Sequence, residues 1–214
     1  QYFENLDNNE IFDFYVKNGG MAGSYIYKNQ EEQYSYISEI FSTLIVRDIF
    51  QKHNIRNTQI LSKLNDFLLD NISSEVSARK IADTLTSIDE KTNDKTIGSY
   101  IEYLCNAFAF YKVRRYDIKG KKYIDTPSKY YFTDLGLRNA RLNFRQTEFT
   151  HLLENAIYNE LRLRGYSVDV GQIPIFTIGE DGKRQRSTLE VDFVCNLGYK
   201  RCYIQSAYAL PTEE

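Results

Sequence analysis

Apolar residues recur at intervals of three and four along the first half of the chain, which predicts amphipathic helices. On this pattern, helices are predicted over residues 31–53, 60–68 and 95–108. Ser77 is a candidate N-cap for a further helix over residues 78–85, because its hydroxyl group can accept a hydrogen bond from an unpaired backbone N–H. The first half of the chain is therefore predicted to be helical.

Beyond these helices, aromatic and β-branched residues predict a β-hairpin. Phe110–Tyr116 is predicted as one strand, and a turn over Asp117–Lys122 leads to a return strand around Tyr123 and residues 130–133. Three helices followed by a two-stranded hairpin are typical of a winged helix-turn-helix domain, which we place at residues 57–138.

The last third of the chain combines one helix with several strand-like runs. The helix is predicted over residues 148–164 and ends at Gly165. The strand-like runs lie at residues 166–170, 174–178, 188–195 and 201–207. This pattern predicts an α/β domain at residues 139–214, which we expect to be incomplete because no closing helix covers the second face of its sheet. The predicted fold class is mixed α and β.

Composition narrows the class of protein. With 42% hydrophobic residues among 214, the chain can bury a core, which excludes a disordered or low-complexity protein. No apolar run approaches the roughly 20 residues that cross a bilayer, so no membrane partner is expected. Three cysteines without a CxxC pair, and no signal peptide, predict reduced thiols and a cytoplasmic location. Because the chain begins at Gln1, we expect a fragment of a longer protein.

The net charge of −2 hides a strong asymmetry along the chain. Residues 1–50 carry eight acidic and three basic side chains, whereas residues 108–130 carry seven basic and two acidic ones. The candidate nucleic-acid-binding residues are Lys112, Arg114, Arg115, Lys119, Lys121 and Lys122 of the hairpin, with Lys95 at the start of the preceding helix. Such a wing contacts phosphates, which predicts binding of duplex DNA without sequence preference. A solvated hairpin with ordinary surface charges is the alternative.

Three polar side chains of the last third have the order of a nuclease metal site. Glu154 lies on the predicted helix, Asp192 on a strand and Gln205 on the next strand. Together they could hold Mg²⁺, which would activate water for phosphodiester cleavage, and they are the candidate catalytic residues. Glu190 shares the face of Asp192 by alternation, so the candidate metal ligands are Glu154, Asp192 and Glu190.

Two charges that this chemistry requires are missing. A nuclease of this kind has an acid at the position of Gln205 and a lysine at the position of Ala207. Lys200 and Arg201, just before the strand, are the basic residues that could substitute. There is also no GxxxxGK[ST] phosphate loop, so this chain is not expected to be catalytic by itself, and the enzyme assignment stays open.

Several short strings, taken in order, resemble a known family. They are Tyr15-x-x-x-Gly19–Gly20, Ile45-x-Arg47–Asp48–Ile49, Thr96–Ile97-x-x-Tyr100, Tyr116–Asp117-x-Lys119–Gly120, Lys129–Tyr130–Tyr131-x-x-Asp134-x-Gly136–Leu137–Arg138, Leu153–Glu154–Asn155, Glu190–Val191–Asp192–Phe193 and Tyr203–Ile204–Gln205. In this order they are similar to the C-terminal part of the bacterial and archaeal AAA-type (P-loop) ATPases that carry a C-terminal domain of unknown function.

The resemblance implies three consecutive domains. Residues 1–56 are implied to be the helical lid and connector of an ATPase domain that is missing here, residues 57–138 a winged helix, and residues 139–214 a restriction-endonuclease-like domain. ATP is implied only in the missing domain, so no cofactor is expected in this fragment, although the candidate metal ligands could hold Mg²⁺. Glu154, Asp192 and Gln205 are implied to occupy the metal-site positions.

These observations leave three hypotheses about function. The first, which we favour, is an accessory nucleic-acid-binding module that acts with the ATPase domain of the same chain. The second is a metal-dependent nuclease that uses Glu154, Asp192 and Gln205. The third is a protein-interaction or self-association module in which the basic hairpin pairs with the acidic residues 1–50.

Overall fold

The computed structural model describes residues 6–53, 55, 57–88, 90–144, 148–178 and 184–209, without the side chains of residues 45–48 and 184. The fold is mixed α and β, as predicted. The helices are α1 Asn8–Asn18, a 3₁₀ helix Ala22–Ile26, α2 Gln30–Thr43, a π-helical continuation Leu44–Gln51, α3 Thr58–Asp70, α4 Ala78–Ser87, α5 Asp94–Asn106, α6 Leu135–Arg141 and α7 Phe149–Leu163. The strands are β1 Glu75–Val76, β2 Phe110–Asp117, β3 Lys122–Phe132, β4 Ser167–Ile178, β5 Arg184–Leu197 and β6 Lys200–Ile204.

The chain divides into two compact units, each built from separate stretches of sequence. The helical unit comprises Gln1–Ile72, Ala78–Tyr111 and Phe132–Glu148, and the sheet unit comprises Ser73–Ser77, Lys112–Tyr131 and Phe149–Glu214. The sequence predicts three consecutive segments instead, and that assignment of domain types stays a prediction. In the described part of the chain, no helix is long and apolar enough to cross a membrane.

The predicted helices form where apolar periodicity and capping residues agree. The helix predicted over residues 31–53 is α2 with its π-helical continuation, and the side chain of Asn29 caps it by accepting a hydrogen bond from the Glu32 N–H at 2.8 Å. Asn93 caps α5 in the same way, and this helix buries Ile97, Ile101 and Leu104. Each cap satisfies a backbone donor that the first turn leaves unpaired.

Helix α6 is the centre of the helical unit and was not predicted. All of its residues from Leu135 to Ala140 are buried, and it packs against both α1 and α2. The side chain of Asp134 caps it by accepting from the Leu137 N–H, and the same carboxylate accepts from the Gly20 N–H at 2.7 Å. One carboxylate therefore joins the start of α6 to the turn after α1.

The contact between α6 and the end of α1 is made by backbone atoms. A Cβ atom on Gly136 would lie 2.0 Å from the carbonyl oxygen of Asn18, so only glycine fits at this position. Nearby, the buried Arg138 donates through Nε to the Leu69 carbonyl oxygen at 2.9 Å. These interactions connect α6 with α1 and α3.

The sheet has six strands in the order β1-β3-β2-β4-β5-β6. Strands β2 and β4 pair in parallel, whereas the β1–β3, β4–β5 and β5–β6 pairs are antiparallel. The two runs predicted at 166–170 and 174–178 form the single strand β4. Pro174 is tolerated there because the pairing with β2 ends at Gln172, which leaves β4 one neighbour at the proline.

The last strand is shorter than predicted. It ends at Ile204, whereas the sequence predicts a strand through residue 207. The backbone N–H of Ser206 donates to a carboxylate oxygen of Asp192 at 2.7 Å. That N–H group is therefore bonded to a side chain.

We predict that Gly136→Ala lowers the free energy of unfolding by about 2 kcal/mol, because the new methyl group forces α6 away from the carbonyl of Asn18. Gly98→Ala is the matched control: it lies inside α5 with no atom within 4 Å of the added Cβ, and it should raise stability by about 0.5 kcal/mol. Urea unfolding of both variants measures the difference. Equal stabilities would contradict a backbone contact at Gly136.

Candidate functional site

Helix α7 brings a carboxylate to one face of the sheet. The helix packs against β4 and β5, and its buried side includes Glu154 and Tyr158. Glu154 is only 8% exposed, which is rare for a glutamate unless a partner compensates its charge. We call the face of the sheet that α7 covers the inner face.

The partner of Glu154 is a buried lysine from β3. Lys129 is 4% exposed, and its Nζ lies 3.0 Å from Oε1 of Glu154 and 2.6 Å from Oε1 of Glu190. The hydroxyl group of Tyr131 donates to the same oxygen of Glu154 at 2.7 Å. Lys129, Glu154, Glu190 and Tyr131 are called the lysine cluster below.

A register shift brings the acidic residues of β5 to the inner face. Asp169 pairs with Val194 but Gly171 pairs with Val191, so β5 carries one extra residue over this interval. Val191 and Val194 consequently lie on the same side, since both contact the position of a Cβ on Gly171. An extra residue of this kind is a β-bulge, which reverses the alternation of side chains beyond it.

The bulge explains how Glu190, Asp192 and Phe193 come to share a face. Phe193 lies on the inner face, with its ring centroid 6.4 Å from that of Tyr158 on α7. Because Val191 points to the other face, its neighbours Glu190 and Asp192 point inward. The sequence predicts that Glu190 and Asp192 share a face, but it does not predict the bulge.

Asp192 and Gln205 are adjacent, as the nuclease hypothesis requires, but they bond to protein groups. Asp192 is 6% exposed, and its Oδ2 accepts hydrogen bonds from both the backbone N–H and the hydroxyl group of Ser206, each at 2.7 Å. Oε1 of Gln205 accepts from the backbone N–H of Asp192 at 3.4 Å. Both side chains thus hold the residues after β6 against β5.

Electrostatics keep the lysine charged. Burial lowers the pKa of Lys129, but Glu154 and Glu190 outweigh it and hold the pKa above its usual value. Burial raises the pKa of Glu154, and Lys129 and Tyr131 oppose this increase. Burial and the nearby Glu154 raise the pKa of Tyr131 well above the usual value, so its hydroxyl group stays a donor.

The residues of this site do not fit a divalent metal ion. Within the described ranges, no three His, Cys, Asp or Glu side chains form a group that could hold one. The ammonium group of Lys129 already lies between Glu154 and Glu190, and Asp192 is bonded to Ser206. A metal ion placed here would meet this positive charge at close range, so we derive no metal-dependent step.

Sequence reasoning missed Lys129 as a site residue. The sequence groups Lys129 with the basic residues of the hairpin, whereas the structure places it in a cluster that contains two of the three predicted metal ligands, Glu154 and Glu190. The available signal was its period-two spacing from Tyr131 within the string Lys129–Tyr130–Tyr131. Strand β3 thus brings one lysine to the inner face.

Arg115 is likewise held within the protein. Its Nη1 lies 3.2 Å from both carboxylate oxygens of Glu75, and its other guanidinium nitrogens donate to the carbonyl oxygens of Pro127 and Thr126. Glu75 also accepts from the side chain of Gln172 at 2.7 Å. Arg115 is therefore not available to an external anion.

The remaining predicted basic residues are exposed. They are Lys112, Arg114, Lys119, Lys121 and Lys122 in the hairpin and Lys95 in the first turn of α5. Among the described residues, none of the five hairpin residues forms an ion pair. The five side chains are called the basic hairpin below, and they form a compact source of positive charge within the sheet unit.

The face opposite α7, which we call the outer face, combines tyrosine and arginine side chains. The guanidinium group of Arg114 lies 4.1 Å from the ring centroid of Tyr123, and that of Arg201 lies 5.4 Å from the ring of Tyr116. The two rings are 5.3 Å apart. The hydroxyl group of Tyr123 donates to Asp169 at 3.2 Å, which fixes the ring.

Strand register assigns these residues to the outer face. Val194 follows the inward Phe193 and therefore points outward, and it pairs directly with Asp169 on β4 and Tyr203 on β6. Arg201 lies two residues before Tyr203 on the same strand and so shares its face. Arg201 was expected as a substitute for the missing nuclease lysine, but it lies on the face opposite Glu154.

Comparisons with known proteins give a family and two relatives. The family model described as "Domain of unknown function (DUF8612)" matches residues 9–148. An uncharacterized protein of Haemophilus influenzae is 35% identical over 202 residues, which are 94% of this chain and 47% of that protein. The uncharacterized protein MJ1544 of Methanocaldococcus jannaschii is 28% identical over 196 residues, 92% of this chain and 41% of that protein. The chain thus spans less than half the length of these relatives, and no solved structure matches it.

We predict that Lys129→Met lowers the free energy of unfolding by about 3 kcal/mol near pH 8, because it leaves the charge of Glu154 buried without its cation. The folded-state pKa of Glu154 is already above its usual 4.5, and losing Lys129 raises it further. A group with a raised folded-state pKa stabilises the folded state below its unfolded pKa and loses this contribution as pH rises. The loss of stability should therefore be smaller at pH 5 than at pH 8.

Urea unfolding at the two pH values measures this dependence. Arg164→Met is the matched control, because it removes the cation of an exposed pair with Glu160 and should change stability by less than about 0.5 kcal/mol. The double variant Lys129→Met/Glu154→Gln should recover part of the loss. A loss for Lys129→Met that does not vary with pH would contradict the proposed compensation.

Proposed function

We propose that this chain, which belongs to the DUF8612 family of domains of unknown function, is a nucleic-acid-binding module. It would contact phosphates through the basic hairpin. The observation that carries the proposal is that five exposed basic side chains lie within residues 112–122 and none forms an ion pair in the described part of the chain. Cations of this kind release counterions from a nucleic acid and bind it without reading its sequence.

The two acidic residues of the hairpin region do not neutralise this charge by direct pairing. Asp117 is buried, and its Oδ1 accepts a hydrogen bond from the Gly120 N–H at 2.8 Å, which shapes the turn. Asp125 forms no ion pair among the described residues. The turn therefore displays Lys119, Lys121 and Lys122 with their charges available to phosphate.

The finer architecture is part of this proposal. We propose that the chain is the C-terminal accessory part of an AAA-type ATPase, with a lid-like segment, a winged helix and a restriction-endonuclease-like domain. The succession of α3, α4, α5 and the β2–β3 hairpin supports the winged helix, and α7 followed by β4, β5 and β6 supports the nuclease-like domain. The matched residues cover 47% and 41% of the two relatives, so such proteins have room for an ATPase domain.

The two other hypotheses have less support. A metal-dependent nuclease needs a cation site at Glu154 and Asp192, and the bonds of Lys129 and Ser206 to these carboxylates argue against it. A protein-interaction module would use the basic hairpin against an acidic partner. That function is the outcome that remains if nucleic acid does not bind.

We predict salt-dependent binding of a fluorescently labelled 25-base-pair duplex, measured by anisotropy at several salt concentrations. Binding to roughly three to five phosphates gives a slope of about −3 to −4.5 in a plot of log affinity against log salt. Lys119→Gln/Lys121→Gln/Lys122→Gln should weaken binding and make the slope shallower by about 0.9 for each phosphate that the variant no longer neutralises.

The matched control is Lys17→Gln/Lys28→Gln/Lys52→Gln, which removes the same charge from exposed positions of the helical unit. This control should retain most of the affinity and the slope. If both triple variants lose affinity equally, net charge and not the hairpin determines binding. If neither the duplex nor a single strand of the same length binds at low salt, the proposed function is overturned.

A further inference from the structure

We propose that the outer face of the sheet binds unpaired bases, so that the ligand of this protein is single-stranded nucleic acid. This inference rests on the proposed function and names its ligand class. A second observation carries it: the outer face presents aromatic and guanidinium groups side by side. Phosphate binding by the basic hairpin does not require this arrangement.

The outer face presents rings at positions that an extended strand of nucleotides can reach. Tyr123 is 48% exposed and Tyr203 is 51% exposed, while Tyr116 is partly exposed. They come from β3, β6 and β2 respectively, so the rings are spread across the sheet. Rings placed on an open sheet are a recurrent platform for bases of single strands.

The arginines make this surface suited to bases as well as to phosphates. The guanidinium groups of Arg114 and Arg201 each lie over a tyrosine ring, and a planar guanidinium held in this way offers its other side to a base. Arg201 is further oriented by donating through Nε to Asn196 at 2.7 Å. The positions of these groups are therefore set before any ligand binds.

Asp169 supports the platform without opposing the ligand. Asp169 is only 8% exposed, and its carboxylate accepts the hydroxyl hydrogen bond of Tyr123, so the ring covers part of its charge. Burial raises the pKa of Asp169, and Tyr123, Arg114 and Arg201 oppose this increase. The carboxylate orients the ring while two arginines compensate its charge.

Two members of the basic hairpin, both on β2, place positive charge on the outer face. By alternation along β2, Lys112 lies on the same face as Arg114 and Tyr116, and it is exposed. A strand whose bases stack on the tyrosines would thus have phosphate partners along β2. A duplex keeps its bases stacked on one another and can use only the phosphate contacts, so it should bind more weakly than a single strand of equal length.

The test compares three labelled probes of equal length by anisotropy at one salt concentration: a fifteen-nucleotide oligothymidylate, an abasic strand with the same phosphates, and a duplex. We expect oligothymidylate to bind at least about fivefold more tightly than the abasic strand, since each stacked base contributes about 1–3 kcal/mol.

Variants locate the stacking surface. Tyr123→Leu and Tyr116→Leu should each weaken oligothymidylate binding at least about fivefold and leave abasic-strand binding unchanged. Tyr116→Phe keeps the ring and should retain the affinity, which separates stacking from loss of folding. Tyr199→Leu is the control, because it removes a ring that is 95% exposed in the turn between β5 and β6.

The outcomes distinguish this inference from the proposed function. Equal affinities for oligothymidylate and the abasic strand would overturn base binding and leave phosphate binding by the basic hairpin in place. Loss of affinity in Tyr116→Phe as well as in Tyr116→Leu would also overturn it, since the ring would still be present in the phenylalanine variant. No binding of any probe would overturn both.

Discussion

The buried ammonium group of Lys129 constrains the sheet unit more than any other single group. A charge removed from water needs compensation at hydrogen-bond distance, and here it comes from Glu154 on α7 and Glu190 on β5. The lysine itself lies on β3, so one cation joins a hairpin strand, the covering helix and a distant strand. Glu190 can reach it because of the bulge in β5, which turns its side chain to the inner face. The ion pairs of Lys129 therefore depend both on the place of β3 within the sheet and on the bulge in β5.

The residues that follow Lys129 continue into the helical unit. Lys129 and Tyr131 complete the lysine cluster, and five residues beyond Lys129 the carboxylate of Asp134 caps α6 and bonds to Gly20. Gly136 then permits the backbone contact with Asn18. The ten residues Lys129–Arg138 thus contribute to both units. Lys129 and Tyr131 belong to the lysine cluster of the sheet unit, and Asp134 and Gly136 fix helix α6 in the helical unit. These structural roles explain why the spacing of residues within this string stands out in the sequence, although the string contains no catalytic motif.

The sequence predicts those features that depend on neighbours along the chain. Apolar periodicity suffices for α5, and the aromatic run with its glycine turn suffices for the β2–β3 hairpin. Features that depend on distant partners were missed. Helix α6 has only seven residues and is buried on every side, so no amphipathic pattern marks it. The bulge in β5 depends on its pairing with β4, and the inward position of Lys129 depends on its contact with α7. The alternation of residues along a single strand carries no information about either partner. The sequence groups Glu154 and Glu190 as ligands of a metal ion, whereas the cation that lies between them is the ammonium group of Lys129.

The charge count of the hairpin shows why sequence alone overstates a binding surface. Residues 108–130 carry seven basic side chains, yet Arg115 and Lys129 are bonded to carboxylates of the sheet unit, which leaves five. Strand alternation makes this division: Arg114 points to the outer face and its neighbour Arg115 to Glu75. One strand therefore stabilises the fold with one set of side chains and presents cations and rings to the solvent with the other. Because the carboxylates of the inner face are satisfied internally, the groups that the proposed base binding would use lie on the outer face, where Arg114 and Arg201 are held by aromatic rings.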